Sequence, residues 1–266
     1  MGTSKSGHDW SSSGVSLGIR EVCCTSWSGF IDFCTSATLD LPRYVYRGQS
    51  EASWPLMPSL QRLLIGKTLA GSPDKDLNVI NRHLKRFKYA TRGRLSIDRK
   101  ALTEDEWWAL GQHHGLATPL LDWSESPYVA AFFAFSDPES ATHTSEFVVV
   151  YGLGRSSVKR FNAGIDDRLQ RLNFIEPERD DNPRLVSQRG LFTKLLSIQS
   201  VEDWVQQYAP ASQKRGTLLK ILIPRSEATK ALLSLNRMNI NHSSLFPDLY
   251  GACNHSNMSL AIENYD

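Results

Sequence analysis

Apolar residues follow strand-like spacing in some segments and helical spacing in others, so the chain is predicted to contain both elements. The continuous apolar run at 147–151 predicts a buried central strand, and further strands are predicted over 43–49 and 217–223. Between 184 and 196 the pattern predicts a strand or bend that is broken at Gly190.

Helical spacing and helix-start signals occur at six places along the chain. Thr103 with Glu106 three residues later forms the sequence pattern of a capping box, and proline stands at or near the first turn of two other helices. The predicted helices cover 27–36, 76–95 and 103–114, or begin at Pro58, at Pro127 and after a Ser226 cap. Because strands and helices are mixed rather than strictly alternating, we expect an α+β fold.

Composition and charge narrow the function classes. The chain has 266 residues, of which 41% are hydrophobic and 22% charged, as in ordinary globular proteins. A net charge of +2 gives no general polycation, and no apolar run is long enough to span a membrane. We predict a cytoplasmic protein without membrane partners, with a flexible N-terminal segment over 1–17 and a single domain over 18–266. The four cysteines lack the spacing of metal ligands, and no metal is expected.

Polar residues are interleaved with large apolar ones between positions 105 and 135. Because a buried polar group without a partner costs a few kcal/mol, such a mixture is typical of a binding or catalytic site. A polar network that only fixes the packing is the alternative. The polar residues concerned are Gln112, His113, His114, Asp122 and Ser126.

One face of the helix predicted over 76–95 is strongly basic. Six basic residues lie within thirteen positions that contain no acid, namely Arg82, Lys85, Arg86, Lys88, Arg92 and Arg94. A solvated helix face explains such a run, and a phosphate-binding or nucleic-acid-binding patch is the functional interpretation.

Four segments, in order, resemble the FRG domain family, which is named for a Phe-Arg-Gly motif. The first is Tyr46-Arg47-Gly48 followed by Gln49, Trp54 and PSLQR at 58–62. The others are WWALGQHHGLATPLLDWSESPYVAAFFAF at 107–135, RLVSQRGLFT at 184–193 and SLFPDLYG at 244–251. The chain departs from the family pattern at Pro119, where many members have arginine, and at Tyr250, where many have an acidic or polar residue.

The resemblance implies a layout like that of the ADP-ribosyltransferase fold, in which a split, mixed or antiparallel sheet flanked by helices holds a bent NAD. It implies NAD as substrate, a toxin or phage-defence role and an antitoxin or chaperone partner. In this layout Arg47 would anchor the diphosphate, and Gly48 would let the ligand approach the backbone.

The chain differs from those transferases at the position of the catalytic acid. Transferases of this fold use a late glutamate, whereas the matching segment here has Gln188, which can bind a ribose hydroxyl but supplies no negative charge. Either Gln188 suffices, or Glu125 or Asp248 contributes, or the chain is a noncatalytic binder. Asp248 equally fits the cap of the last helix.

Further NAD-binding residues are expected in the central segment. His113 or His114 would bond a ribose hydroxyl or orient Asp122, Ser124 and Ser126 would bond the nicotinamide amide or the ribose, and Tyr128 or Trp123 would stack on nicotinamide. Each has a structural alternative: Ser126 as a helix cap, the aromatic residues as core, and a histidine as a satisfied core residue.

The resemblance thus implies an NAD-dependent mono-ADP-ribosyltransferase acting as an intracellular toxin or anti-phage effector. The basic face at 82–94 favours RNA or another nucleic acid as the acceptor, and protein acceptors stay open. NAD hydrolysis and a noncatalytic module that binds a nucleotide or a partner protein are the alternatives. A nuclease that uses His113 or His114 as acid and base is a weaker one.

Overall fold

A mixed β-sheet organises the fold. The computed structural model describes residues 9–36, 44–65, 73–95, 99–137, 144–176, 186–210 and 216–265. Within these ranges eight strands pair in the order β1-β2-β8-β5-β3-β4-β7-β6. They are β1 (Trp10–Ser12), β2 (Ile19–Cys24), β3 (Tyr44–Gln49), β4 (Leu120–Ser124), β5 (Phe147–Gly154), β6 (Asn173–Ile175), β7 (Gly190–Lys194) and β8 (Leu218–Pro224). Strands β2 and β8 are parallel and all other neighbours are antiparallel.

Helices cover both faces of this sheet, so the predicted α+β class with a mixed sheet flanked by helices is confirmed. The α-helices in the described ranges are α1 (Trp27–Thr35), α2 (Ser59–Ile65), α3 (Pro73–Ala90), α4 (Glu104–His113), α5 (Pro127–Phe135), α6 (Arg155–Asn162), α7 (Val201–Tyr208), α8 (Ala228–Arg237), α9 (His242–Leu245) and α10 (Leu249–Ala261).

Strand β5 shows why its apolar run is continuous. Val148 and Val150 face one core, shared with α1, α5 and α8, whereas Val149, Tyr151 and Leu153 face a second core, shared with α6 and α7. Successive side chains of a strand point to opposite faces, so a strand covered on both sides has no polar positions. The prediction of a buried central strand over 147–151 is therefore confirmed.

A third apolar cluster holds α2, α3 and α4 together at the other end of the sheet. Trp107 and Trp108 of α4 pack there against Ile80 and Leu84 of α3. The helix α4 begins with the predicted capping box, in which Thr103 accepts from the N–H of Glu106 and the Glu106 carboxylate accepts from the N–H of Thr103. This cluster places the basic helix α3 on the outside of the molecule.

Several elements differ from the sequence-based predictions. Helix α6 and strand β6 occur where no sequence pattern predicted an element. Ser226 does not cap α8, because Glu227 is the N-cap and lacks a side-chain capping bond. A strand, β1, lies inside the segment predicted to be flexible, and the Trp10 indole N–H donates to Asp32 at 3.1 Å while its ring packs on Phe33. Position 43 of the predicted strand and residues 1–8 lie outside the described residues.

Candidate functional site

The candidate site begins where β3 and β4 separate. Strand β3 is paired with β5 over six positions, from Tyr44 to Gln49. Within these two described strands, β3 shares one ladder pair with β4, Tyr46 opposite Ser124. Backbone groups beyond that pair need other partners, and a cleft opens between the two strands.

The opening between the strands forms a cavity of about 730 Å³, a size usual for binding sites of small ligands. It is bounded by the two strand ends, by the loop after β3, and by side chains from α2, α5 and the segment before α10. The lining residues are Tyr46, Arg47, Gly48, Gln49, Ser50, Trp54, Pro55, Arg62, Asp122, Trp123, Ser124, Ala130, Phe133, Asp137, Gln188 and Phe246.

Arg47 bridges the gap between the two strands. Its Nη1 donates to the backbone carbonyl of Asp122 at 2.9 Å and lies 3.5 Å from the Asp122 carboxylate, whose side chain is 62% exposed. The guanidinium thus satisfies a carbonyl of β4 that the ladder leaves unpaired. Its Nε is buried and has no hydrogen-bond partner among the described residues. An unpaired buried donor at the cleft is a group that a ligand can satisfy.

Gly48 has a packing reason that the sequence did not indicate. A Cβ built at this position would lie 1.9 Å from the carbonyl oxygen of Ala130 and 2.7 Å from the nitrogen of Ala134. Helix α5 therefore occupies the side of the strand where a Cβ would stand, while Gly48 also lines the cleft, so its expected contact with a ligand stays a prediction. The small residues of α5 do allow the close approach that the sequence predicts.

Ser124 and Gln188 meet at the inner end of the cleft. The Ser124 hydroxyl donates to the backbone carbonyl of Gln188 at 2.8 Å and accepts from the N–H of Ser126 at 3.1 Å. The Gln188 side-chain amide donates to the carbonyl of Leu245 at 3.2 Å. Gln188 thus lines the predicted site, but part of its amide is engaged with the segment that precedes α10.

Three other predicted residues serve the packing around the cleft rather than its lining. Glu125 points away and pairs with Arg155 at 3.0 Å. Ser126 is the N-cap of α5. The ring of Tyr128 packs edge-on against Phe30, and burial raises the pKa of its phenol. The expected catalytic role of Glu125 and the NAD-binding roles of Ser126 and Tyr128 therefore have no support from the position of these side chains.

His113 and His114 are also outside the cleft. They end helix α4, are exposed, and contact each other edge to face with ring centroids 4.8 Å apart. Gln112 turns inward instead and accepts from the Thr118 hydroxyl. The position of the helix end thus corrects the expectation that one histidine reaches the ligand.

The structural alternatives hold for two further residues. Trp123 is 3% exposed and its indole N–H donates to the Thr193 hydroxyl at 2.8 Å, as expected for a core residue whose edge borders the cleft. Asp248 caps α10 by accepting from the N–H of Gly251 at 3.1 Å. Neither residue offers a free polar group to the site.

Sequence reasoning missed several lining residues. Among the described residues, the carboxylates that line the cleft belong to Asp122 and to Asp137, which accepts from the Ser50 hydroxyl at 2.5 Å. Arg62 of α2 brings a second guanidinium, and Trp54, Phe133 and Phe246 bring aromatic rings. The segment PSLQR contained Arg62, but nothing in its pattern indicated that α2 would face Arg47.

The basic residues of α3 and the following turn form a surface separate from the cleft. Five of the six are exposed, and Lys88 is half-buried with its ammonium 5.6 Å from the centroid of the Trp107 ring. The Arg92 guanidinium stacks over Tyr89, which is 65% exposed, at 4.2 Å. An exposed arginine and tyrosine pair beside further cations is a surface that suits phosphate and base contacts.

One comparison with known protein families matches part of the chain. Residues 42–143 match the FRG domain. This part of the chain is similar to the FRG domain, which supports the resemblance seen in the sequence. The match includes β3 with Arg47, helix α2 with Arg62, and β4 with Asp122, so most of the cleft lies within it.

The other comparisons add no relative. No curated protein and no solved structure matches the chain significantly. Among the described residues, none of the helices has the length and apolar character needed to cross a bilayer.

Proposed function

We propose that this protein is an NAD-dependent mono-ADP-ribosyltransferase that acts inside cells as a toxin or anti-phage effector. The observation on which the proposal depends is the position of Arg47. It lies on a central strand, at the point where the sheet opens into a cleft, and has a buried Nε without a partner in the described part of the chain. A guanidinium is the side chain best suited to a diphosphate.

The size and lining of the cleft support the same substrate. NAD consists of two nucleosides joined by a diphosphate, so its site needs cations near the middle and apolar walls for the rings. The cleft provides Arg47 and Arg62 together with the aromatic side chains of Trp54, Phe133 and Phe246.

The reaction requires orientation and charge stabilisation more than covalent catalysis. The bond between nicotinamide and the ribose C1′ breaks, its electron pair leaves with neutral nicotinamide, and C1′ becomes cationic. An acceptor nucleophile then bonds to C1′ and loses a proton. Negative charge near C1′ lowers this barrier, and Asp122 and Asp137 are the carboxylates of the described cleft.

The same cleft also favours a second candidate function. Gln188 is neutral, its amide already donates to Leu245, and Glu125 pairs with Arg155 outside the cleft. Because neither of these two predicted catalytic residues supplies negative charge to the cleft, the site also suits a noncatalytic module that binds a nucleotide or a partner protein. NAD hydrolysis, with water as the nucleophile, is the third possibility.

We propose RNA or another nucleic acid as the acceptor because the surface formed by α3 and the following turn is basic and exposed. The six cations there have no acid among them in sequence between 82 and 94. Phosphate contacts of this kind supply affinity without sequence preference. An antitoxin or chaperone protein would keep such an activity in check.

The test is to incubate the purified chain with NAD labelled in its adenosine half, in the presence of total RNA, DNA or a cell lysate. We expect label to enter a macromolecule, nuclease or protease digestion to identify its class, and Arg47→Ala to abolish the transfer. Arg160→Gln, on the exposed face of α6, serves as the control.

Other outcomes distinguish the alternatives. Consumption of NAD without any labelled macromolecule would identify a glycohydrolase. Binding of NAD in calorimetry without consumption would identify the binding module. Full transfer activity in Arg47→Ala would show that the site lies elsewhere.

A further inference from the structure

Arg62 differs from Arg47 in how its charge is balanced. It lies on α2, which begins immediately after Pro58, and its Nη1 donates to the carbonyl of Met57 at 2.6 Å. Among the described residues, no carboxylate lies within ion-pairing distance of Arg62, whereas Arg47 has Asp122 at 3.5 Å. Within the described part of the chain, Arg62 is therefore a cation that lines the cleft with one neutral hydrogen bond and no counter-charge.

The two guanidiniums also affect each other. Burial and the positive charge of Arg47 lower the pKa of Arg62. Two like charges at one cleft repel, and an anion bound between them would remove that repulsion. Both side chains keep unused N–H groups, because each guanidinium has five and the hydrogen bonds of the described residues use only Nη1 of each.

We propose that Arg62 is a second phosphate ligand of the cleft, and that Arg47 and Arg62 together bind the diphosphate of a nucleotide. A diphosphate carries two anionic groups, so two arginines from different elements can each take one. A nucleoside has no anionic group and would leave both arginines without a counter-charge. The inference rests on the proposed function for NAD, and it names the part of NAD or ADP-ribose that provides the affinity.

The aromatic residues around the cleft define where the rest of such a ligand would lie. Trp54 is held by a hydrogen bond from the Gln49 amide to its carbonyl at 3.2 Å, and its side chain is 46% exposed. Phe133 and Phe246 pack edge to face, with ring centroids 6.0 Å apart, on another part of the wall. Flat apolar groups on either side of a central diphosphate would meet these rings.

Binding measurements with three ligands test the inference. Calorimetry of the full chain with NAD, with ADP-ribose and with adenosine is compared among the unmodified protein, Arg62→Gln, Arg62→Lys and the control Arg160→Gln. A hydrogen-bonded charge contributes enough that we expect Arg62→Gln to weaken NAD and ADP-ribose binding about 10- to 100-fold. Adenosine binding should not change, and Arg62→Lys should lose less than Arg62→Gln because it keeps the charge.

The outcomes separate this inference from the proposed function. Equal NAD affinity and equal KM in Arg62→Gln and the unmodified protein, with transfer activity retained, would overturn the role of Arg62 alone. Tight ADP-ribose binding that Arg62→Gln weakens, without NAD turnover, would support the diphosphate site and contradict the transferase. An unmodified protein that binds neither NAD nor ADP-ribose would overturn both. Circular dichroism verifies that each variant is folded, and the inference is also overturned if folded Arg62→Lys and Arg62→Gln bind both diphosphates normally.

Discussion

Strand β3 meets its two neighbours in opposite ways. Toward β5 it is paired at six positions, and apolar side chains of both strands enter the cores on the two faces of the sheet. Toward β4 it is paired at one position, and the Arg47 side chain donates to a carbonyl of the neighbouring strand beyond that pair. The side of β3 that faces β5, the paired edge, is made of interactions that stabilise the fold. The side that faces β4, the open edge, contains polar groups whose hydrogen bonds are incomplete.

The difference shows how one strand can serve stability and binding together. The ladder with β5 and the apolar contacts in the two cores hold β3 in place. The polar side chains near β4, such as Arg47, are therefore not needed to hold the strand. A binding site gains from this division, because polar groups with spare hydrogen bonds are kept in position by a neighbouring core.

Among the substitutions at the cleft, the largest effect on stability is expected for Gly48→Ala. The added methyl would lie 1.9 Å from the Ala130 carbonyl oxygen, so β3 and α5 would have to separate. Overpacking of this kind costs about 1–3 kcal/mol, measured as the loss of unfolding free energy in urea. The cleft should be damaged as well, because Phe133 and Asp137 line it from α5 and the residues after it.

Gly14→Ala is the matched control for this substitution. A Cβ at Gly14 meets nothing within 4 Å, so its effect on stability should stay within about 0.5 kcal/mol. Equal stability of the Gly48 and Gly14 variants would show that β3 and α5 are not closely packed at this position.

Sequence patterns predicted β5, the partner of β3 at its paired edge, better than β4, the partner at its open edge. The apolar run of β5 and the capping box of α4 are local signals, and both elements are where the patterns place them. Strand β4 was not predicted, because Leu120–Ser124 is short and lies between two strong helix signals. A strand that pairs through distant residues leaves little trace in its own sequence.

The candidate site was predictable only in part, for the same reason. Arg47, Ser124 and Gln188 line one cleft, as the family resemblance implies. The facing position of Arg62 and the turn of Glu125 toward Arg155 depend on how α2 and α6 pack, which no local pattern encodes. The direction of a helix end, as for His113, likewise follows from tertiary packing.

Glu51→Gln is expected to have an intermediate, pH-dependent effect on stability. It tests the contact between the residues that follow β3 and those that precede β5. Glu51 follows β3, is buried, and its carboxylate accepts from the N–H groups of Thr144 and Ser145, which lead into β5. Burial acts to raise its pKa, but the hydrogen bonds from Ser145, Ser53 and Thr144 outweigh it and lower the pKa from 4.5 to about 2. The ionised carboxylate is thus more stable in the folded state than in the unfolded state.

The sign of the pH dependence follows from that shift. A carboxyl with a lowered pKa in the folded state contributes stability that is complete above about pH 4.5 and is lost as the pH falls toward about 2. We expect the unfolding free energy of the unmodified protein to fall across this window more steeply than that of Glu51→Gln, which should be less stable at neutral pH. Glu263→Gln, at an exposed position, is the control. Parallel pH curves for the unmodified protein and Glu51→Gln would contradict the assigned role.

Arg47→Met is expected to have the smallest effect on stability, although it should cause the greatest loss of function. The partner carboxylate of Asp122 is 62% exposed, and such ion pairs contribute about 0–1 kcal/mol. Removing the guanidinium also removes a buried Nε without a partner in the described residues, which offsets part of the loss. We therefore expect the unfolding free energy to change by no more than about 1 kcal/mol.

Leu153→Ala on β5 provides the contrast, because this side chain is fully buried on the paired edge. Its truncation should cost about 2–5 kcal/mol, while Arg47→Met stays near the unmodified protein in the same urea titration. If Arg47→Met were instead as destabilising as Leu153→Ala, the guanidinium would be holding β3 and β4 together. The open edge would then have a structural role instead of a role in binding an anion. In that case the loss of activity in Arg47 variants could be explained by misfolding and would not test NAD binding.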